Sequence, residues 1–167
     1  YTSSKTKILV PNGISDFRKY MSKKCKSAYR PIRRINRRNS KKNGEYVEVN
    51  SYTVMEYTYV DKSGKNLNIK INSLAPISSR INNIRNNKNS NLNELSVCLL
   101  ISVNDICFLF ASDIYNNVIN DMSIDVEKFK NIIYYKIPHH GSEKSNYLLD
   151  SIPLSDNNRI AVSTIYK

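Results

Sequence analysis

The 167-residue sequence has no tryptophan, four glycines, five prolines, three cysteines and two histidines. It contains no stretch of eighteen consecutive apolar residues, and its N-terminal stretch lacks the charged-then-apolar layout of a signal peptide. Those absences argue against a membrane-inserted or secreted chain and predict a soluble, cytoplasmic protein. The cysteines, Cys25, Cys98 and Cys107, are odd in number and show no CxxC spacing, so neither a disulfide framework nor a cysteine zinc site is expected. Cys98 and Cys107 stand within apolar runs, where a free thiol behaves as a small hydrophobe. With 40% hydrophobic and 24% charged residues, the chain can bury a core. Its length predicts one domain over residues 1–167.

Acidic residues are missing from one place in particular. Between Arg18 and Lys42 there are twelve basic side chains and no acidic one, while the other fourteen basic residues balance the fourteen Asp and Glu, so the whole net charge of +12 belongs to this segment. Its first half repeats Ile14, Phe17, Met21, Cys25 and Ala28 at helical spacing, which predicts an amphipathic helix ended by Pro31. Beyond it, Arg33, Arg34, Arg37 and Arg38 recur four apart, and together with Arg30 they offer a surface that can track phosphates. A solvated basic loop is the alternative for the same residues. Because Asn, Ile and Lys are abundant throughout, the arginines carry more information here than the lysines.

Further along, Val47, Val49, Thr53, Met55, Tyr57 and Tyr59 alternate as a half-buried strand or a bent pair of strands. The run Asp61-Lys62-Ser63-Gly64-Lys65 is turn chemistry, and Leu67, Ile69 and Ile71 resume the alternation, so a hairpin is expected. Residues 77–93 are rich in Asn and Ser, with a short helical stripe at Ile77, Ile81 and Ile84. Two apolar runs, Leu95–Val103 and Ile106–Ala111, flank the Asn104-Asp105 turn signal and predict adjacent strands buried on both faces. Short helices are expected at Ile114–Met122, Asp125–Lys130 and Ser145–Ser151, with strands at Ile132–Ile137 and Arg159–Ile165. Strands first, then strand–helix alternation, predict an α/β layered fold around a mixed sheet. The strand-like Lys7–Pro11 close behind a non-Met first residue suggests a piece of something longer.

Two chemical sites follow strands directly. Phe108 to Ser112 runs into Asp113, at the strand end where α/β sheets gather ligands, although spacing alone favours an N-cap for a helix beginning at Ile114. Tyr134 to Ile137 runs into Pro138-His139-His140-Gly141-Ser142, which holds both histidines of the chain. In extended backbone, adjacent side chains diverge, so one imidazole can enter a metal site while the other packs or contacts substrate.

From about Lys65 onward, these motifs resemble the C-terminal half of a metallo-β-lactamase-fold hydrolase, particularly the branch with the nuclease-like domain of bacterial DNA-uptake (competence) proteins. The resemblance is carried by Asn93-Glu94-Leu95-Ser96-Val97, by the strand leading to Asp113, by Pro138 to Ser142 followed by Ser145, and by Ile160 to Thr164. It implies part of an αββα sandwich and a site for two divalent metals, zinc or manganese. Asp113 would bridge the ions, one of His139 and His140 would ligate, and the other would lie near the leaving group or orient its neighbour. Ser142 would meet a substrate phosphate or else cap the turn. The implied activity is hydrolysis of a phosphodiester in DNA or RNA. The family's principal motif, His-x-His-x-Asp-His or His-x-Asp-x-Asp-His, is absent from this chain, and Ser112 stands where the family usually has Gly. Either an N-terminal half on a further segment or a separate chain supplies the missing ligands, or this is a metal-free relative serving as a nucleic-acid-binding or interaction module.

Overall fold

The computed structural model describes residues 7–12, 45–86, 91–122, 126–145, 147–150, 152 and 159–164. The basic segment 18–42, with Arg30, Arg33, Arg34, Arg37 and Arg38, and Cys25 with it, lies outside the described residues. No helix among the described residues is long and apolar enough to cross a membrane.

The protein is mixed α/β. Strands β1 (Lys7–Pro11) and β2 (Glu45–Val49) pair in parallel as a small sheet. The main sheet has six strands in chain order: β3 (Val54–Val60), β4 (Asn66–Ala75), β5 (Cys98–Val103), β6 (Ile106–Ala111), β7 (Ile132–Lys136) and β8 (Ile160–Val162). The Glu45 to Val60 alternation divides into two strands that belong to different sheets, and at the bend between them Asn50 Oδ1 accepts from Tyr52 N at 2.9 Å. The β3–β4 hairpin forms as its pattern predicts. At its turn, Asp61 accepts from the Ser63 hydroxyl at 2.6 Å and from Lys65 N at 2.9 Å, and the Ser63 hydroxyl is the main reason its carboxyl titrates below the ordinary range. Asn104 turns β5 into β6 with a left-handed φ of 53°, a conformation that Asn tolerates better than most residues.

From β3 to β6 the pairing is antiparallel; from β6 to β8 it is parallel. The parallel connection between β6 and β7 contains two short helices, α1 (Asn116–Asp121) and α2 (Val126–Phe129). Helix α3 (Tyr147–Asp150) lies between β7 and β8. Register determines what they cover. Cys98, Leu100, Cys107, Leu109, Ala111 and Tyr135 share one face of the sheet and pack with Val118, Ile119, Phe129 and Leu148 of the helices. Burial pushes the Cys98 thiol up to about 12.

The opposite face corrects the sequence expectation for β5 and β6. Cross-strand register puts Ile101 with Phe108, Leu99 with Phe110, and Phe110 near Tyr134, whose ring centroid is 5.5 Å away. Ile160 of β8 continues this face. Phe110 is 37% exposed, Ile106 48% and Ile160 62%. These strands are therefore fully buried on one face only, while on the other Leu99, Ile101 and Phe108 are half-buried. Composition alone could not show it, because the second face is equally apolar and simply receives no helix among the described residues.

Candidate functional site

Parallel pairing puts the carboxyl ends of β6, β7 and β8 on a single rim. Asp113, the histidine pair and Thr164 each follow one of those ends within four residues. Backbone bonds prolong the ladder past the strands: His139 N donates to Ser112 O at 3.0 Å, and Ile137 N to Val162 O at 2.9 Å. The rim is thus built by the same register that builds the sheet.

On this rim, His140 Nε2 lies 3.7 Å from Asp113 Oδ1. That is too long for a hydrogen bond. It is close to the about 3.4 Å that separates two zinc ligands at a tetrahedral angle, given metal distances of about 2.0–2.1 Å. The other ring nitrogen, Nδ1, meets Thr164 O at 2.9 Å and Thr164 Oγ1 at 2.7 Å. A backbone carbonyl can only accept, so the contact with Thr164 O is a hydrogen bond in the tautomer that carries the proton on Nδ1. In the neutral ring, Nε2 then keeps its lone pair, directed to the Asp113 side. Asp113 has 42% of its side chain exposed and His140 29%, so the pair opens to solvent.

His139 goes elsewhere. Its ring packs on Tyr115 with centroids 4.7 Å apart and lies 6.2 Å from the His140 ring. Its Nδ1 is buried with no hydrogen-bond partner among the described residues. The divergence of the two imidazoles was expected from extended backbone, but the geometry achieving it is different: His139 and His140 have φ of 44° and 56°, and Gly141 has 80°. Two non-glycine residues in the left-handed region cost about 1–3 kcal/mol each, a conformation kept only where its surroundings hold it. The holding bonds are Ser142 N to His139 O at 3.0 Å, Ser145 N to Ser142 O at 2.9 Å, and the buried Ser145 hydroxyl to Ile114 O at 2.6 Å. Ser142 therefore spends its N–H on the turn, and its hydroxyl accepts from Lys144 N at 3.4 Å.

The capping alternative for Asp113 does not hold. The helix that follows begins at Asn116, with Tyr115 at its N-cap and no side-chain cap bond. Among the described residues, no three His, Cys, Asp or Glu side chains gather around one point. The donor set on this rim is one carboxylate and one imidazole nitrogen, which suits zinc or manganese but amounts to half of a four-ligand shell.

Sequence reasoning missed Thr164 and Tyr115. Thr164 had a signal: it follows the third strand of the parallel set, the same position that singled out Asp113 and the histidines. Tyr115 had none, since its role depends on His139 turning toward it. Comparison with protein-family models, with curated proteins and with solved structures finds no match to this chain.

Proposed function

We propose that residues 1–167 form the C-terminal half of a metallo-β-lactamase-type αββα sandwich, and that Asp113 and His140 are two ligands of a divalent metal centre that hydrolyses phosphodiesters in nucleic acid. One observation carries the reading: a carboxylate and an imidazole converge at a parallel-strand rim, and Thr164 keeps that imidazole in the tautomer a ligand needs. The apolar sheet face with Phe108, Phe110 and Tyr134 supports the sandwich, because a second sheet would cover it. The remaining ligands belong to the N-terminal half or to a separate chain that supplies it.

In such a site, the ion, zinc or manganese, supplies Lewis acidity and a water of lowered pKa. Asp113 contributes carboxylate oxygens. His140 contributes Nε2, while Thr164 O holds the Nδ1 proton and fixes the ring plane. His139, against Tyr115, lies beside the pair, where its position suits contact with a leaving group. The basic residues Arg30, Arg33, Arg34, Arg37 and Arg38 serve the phosphate backbone. A metal-free nucleic-acid-binding module is the second reading, favoured by the count of two donors among the described residues.

Metal analysis of the native protein, purified without chelator, tests the proposal. Zinc or manganese near one equivalent or more is expected, falling in Asp113→Ala and His140→Ala together with cleavage of DNA or RNA. A complete native protein, with the N-terminal half or the chain supplying it present, that holds less than about a tenth of an equivalent refutes the hydrolase. If that protein still binds nucleic acid, the second reading stands.

A further inference from the structure

Beside the histidine turn lies an open depression of about 400 Å³, lined by Asn91, Glu94, Tyr115, Asn116, Asn117 and Lys144. Among the described residues its lining offers amides, a carboxylate, an ammonium and an aromatic ring. Small-molecule sites span roughly 300–1,000 Å³, which makes this one the size of a single nucleoside unit and too small for a duplex.

Tyr115 is the wall shared with the rim. Its ring packs on His139 at 4.7 Å, and its hydroxyl accepts from Asn93 Nδ2 at 3.2 Å. Held at both points, the ring is a fixed platform. The one carboxylate of the lining is compensated: Glu94 accepts from Asn117 Nδ2 at 3.2 Å and pairs with Arg80 at 3.5 Å. It therefore presents little net repulsion to an anion. Asn91 spends its Oδ1 on Asn93 N at 3.0 Å, which leaves its NH₂ as a donor of the kind that base edges accept. Lys144 belongs to the 3₁₀ turn Glu143–Ser145, immediately after the turn that carries His140, and brings a cation to the lining of the depression.

We infer that this depression receives one base of a single-stranded nucleic acid, stacked on Tyr115, with Lys144 on the adjoining phosphate. The inference rests on the proposed nucleic-acid substrate of the same site. Entry requires an unpaired base, because a base within a duplex offers no free face to an aromatic side chain. It therefore assigns the site to single strands, loops or ends.

Fluorescence anisotropy with the native protein tests this. The probes are phosphorothioate-linked pentamers of DNA and of RNA, each paired with an abasic pentamer of equal charge. Stacking on one aromatic side chain predicts that the base-bearing pentamer binds on the order of 5- to 150-fold tighter than the abasic one. Tyr115→Ala should erase most of that preference, and Tyr115→Phe, which keeps the ring, should restore it. Lys144→Gln should keep the preference and flatten the log–log salt slope by about 0.7, the value for one phosphate on a single strand. If Tyr115→Ala does not fold, Asn91→Ala and Asn117→Ala read the same preference from the opposite wall. A preference unchanged in these variants, equal affinity for the abasic pentamer, or failure of wild type to bind either strand overturns the inference. The DNA and RNA arms identify which nucleic acid supplies the base. Zinc and manganese content separates this result from the hydrolase proposal: a metal-free protein with the Tyr115-dependent preference keeps the inference alone, and a metalloprotein blind to the bases keeps the hydrolase alone.

Discussion

Ser145→Ala probes how the histidine turn is held. Ser145 is 1% exposed, and its hydroxyl donates to Ile114 O at 2.6 Å across 31 positions of chain. Ile114 is fully buried, so its carbonyl has no access to water when the donor is removed. Alanine leaves only an oxygen-sized gap, which keeps the cavity contribution small beside the cost of a stranded carbonyl, about 1–3 kcal/mol. A protein of this length loses about 2–4 °C in Tm per kcal/mol, so a decrease of roughly 2–12 °C is expected. Urea denaturation should show the midpoint falling with the slope m unchanged, since the surface exposed on unfolding hardly differs. A loss below about 0.5 kcal/mol, the range of neutral surface substitutions, would refute the claim that this bond anchors the turn.

Thr164→Val removes the hydroxyl 2.7 Å from His140 Nδ1 but leaves the carbonyl at 2.9 Å. Nitrogen-15 NMR should therefore still find the proton on Nδ1 in the neutral ring, with metal affinity reduced by up to about tenfold, the lower end for groups that orient a ligand; a proton on Nε2 in the wild type would contradict the assignment. Cys98, whose thiol is raised from 9.0 to about 12, stays protonated in the folded protein at pH values where the unfolded chain ionises. Its contribution is complete below pH 9 and declines above it by about 1.4 kcal/mol per pH unit, up to about 12; Cys107 and Tyr135 add in the same direction. Urea titrations at pH 8, 9 and 10 should show a shallower decline for Cys98→Ala than for wild type, and parallel declines would count against it. Replacing Arg33, Arg34, Arg37 and Arg38 with Gln should weaken nucleic-acid binding for all sequences alike and lower the salt slope on duplex DNA by about 0.9 per lost phosphate contact; an unchanged slope means the cluster does not touch phosphate.

Strand order near the rim was legible because it rests on short-range patterns. The Asn104-Asp105 signal sets the β5–β6 hairpin, and helix-forming residues between Ala111 and Ile132 force a crossover, hence parallel pairing and a common carboxyl edge for Asp113 and His139. What was not legible depends on contacts between segments distant in sequence. The histidine backbone enters the left-handed region because Ser145 reaches back to Ile114, which no local propensity encodes. Asp113 looks like a cap by spacing, yet the helix starts three residues later because Tyr115, packed on His139, takes the N-cap place instead. The overestimated burial of β5 and β6 has another origin: Leu99, Ile101, Phe108 and Phe110 read as core whether or not anything covers them.

That face, which no described helix covers, and the pair of donors on the rim bear on each other. Strands of a parallel set require cover on both faces, since neither face has the polar alternation that tolerates water. Here β6 and β7 carry Phe108, Phe110 and Tyr134 on the side without described helices. The rim bearing Asp113 and His140 is the edge of this same sheet, so a second layer laid over the apolar face would end beside it and could bring further donors within reach of both side chains. A metal-free binding module would have no use for such a layer at the rim, and its apolar face would call for cover of any kind. The two readings thus differ in what they require of one surface: the hydrolase needs a cover that carries His or Asp residues to the Asp113–His140 edge, whereas the module needs only that Phe110 and Tyr134 be shielded from water.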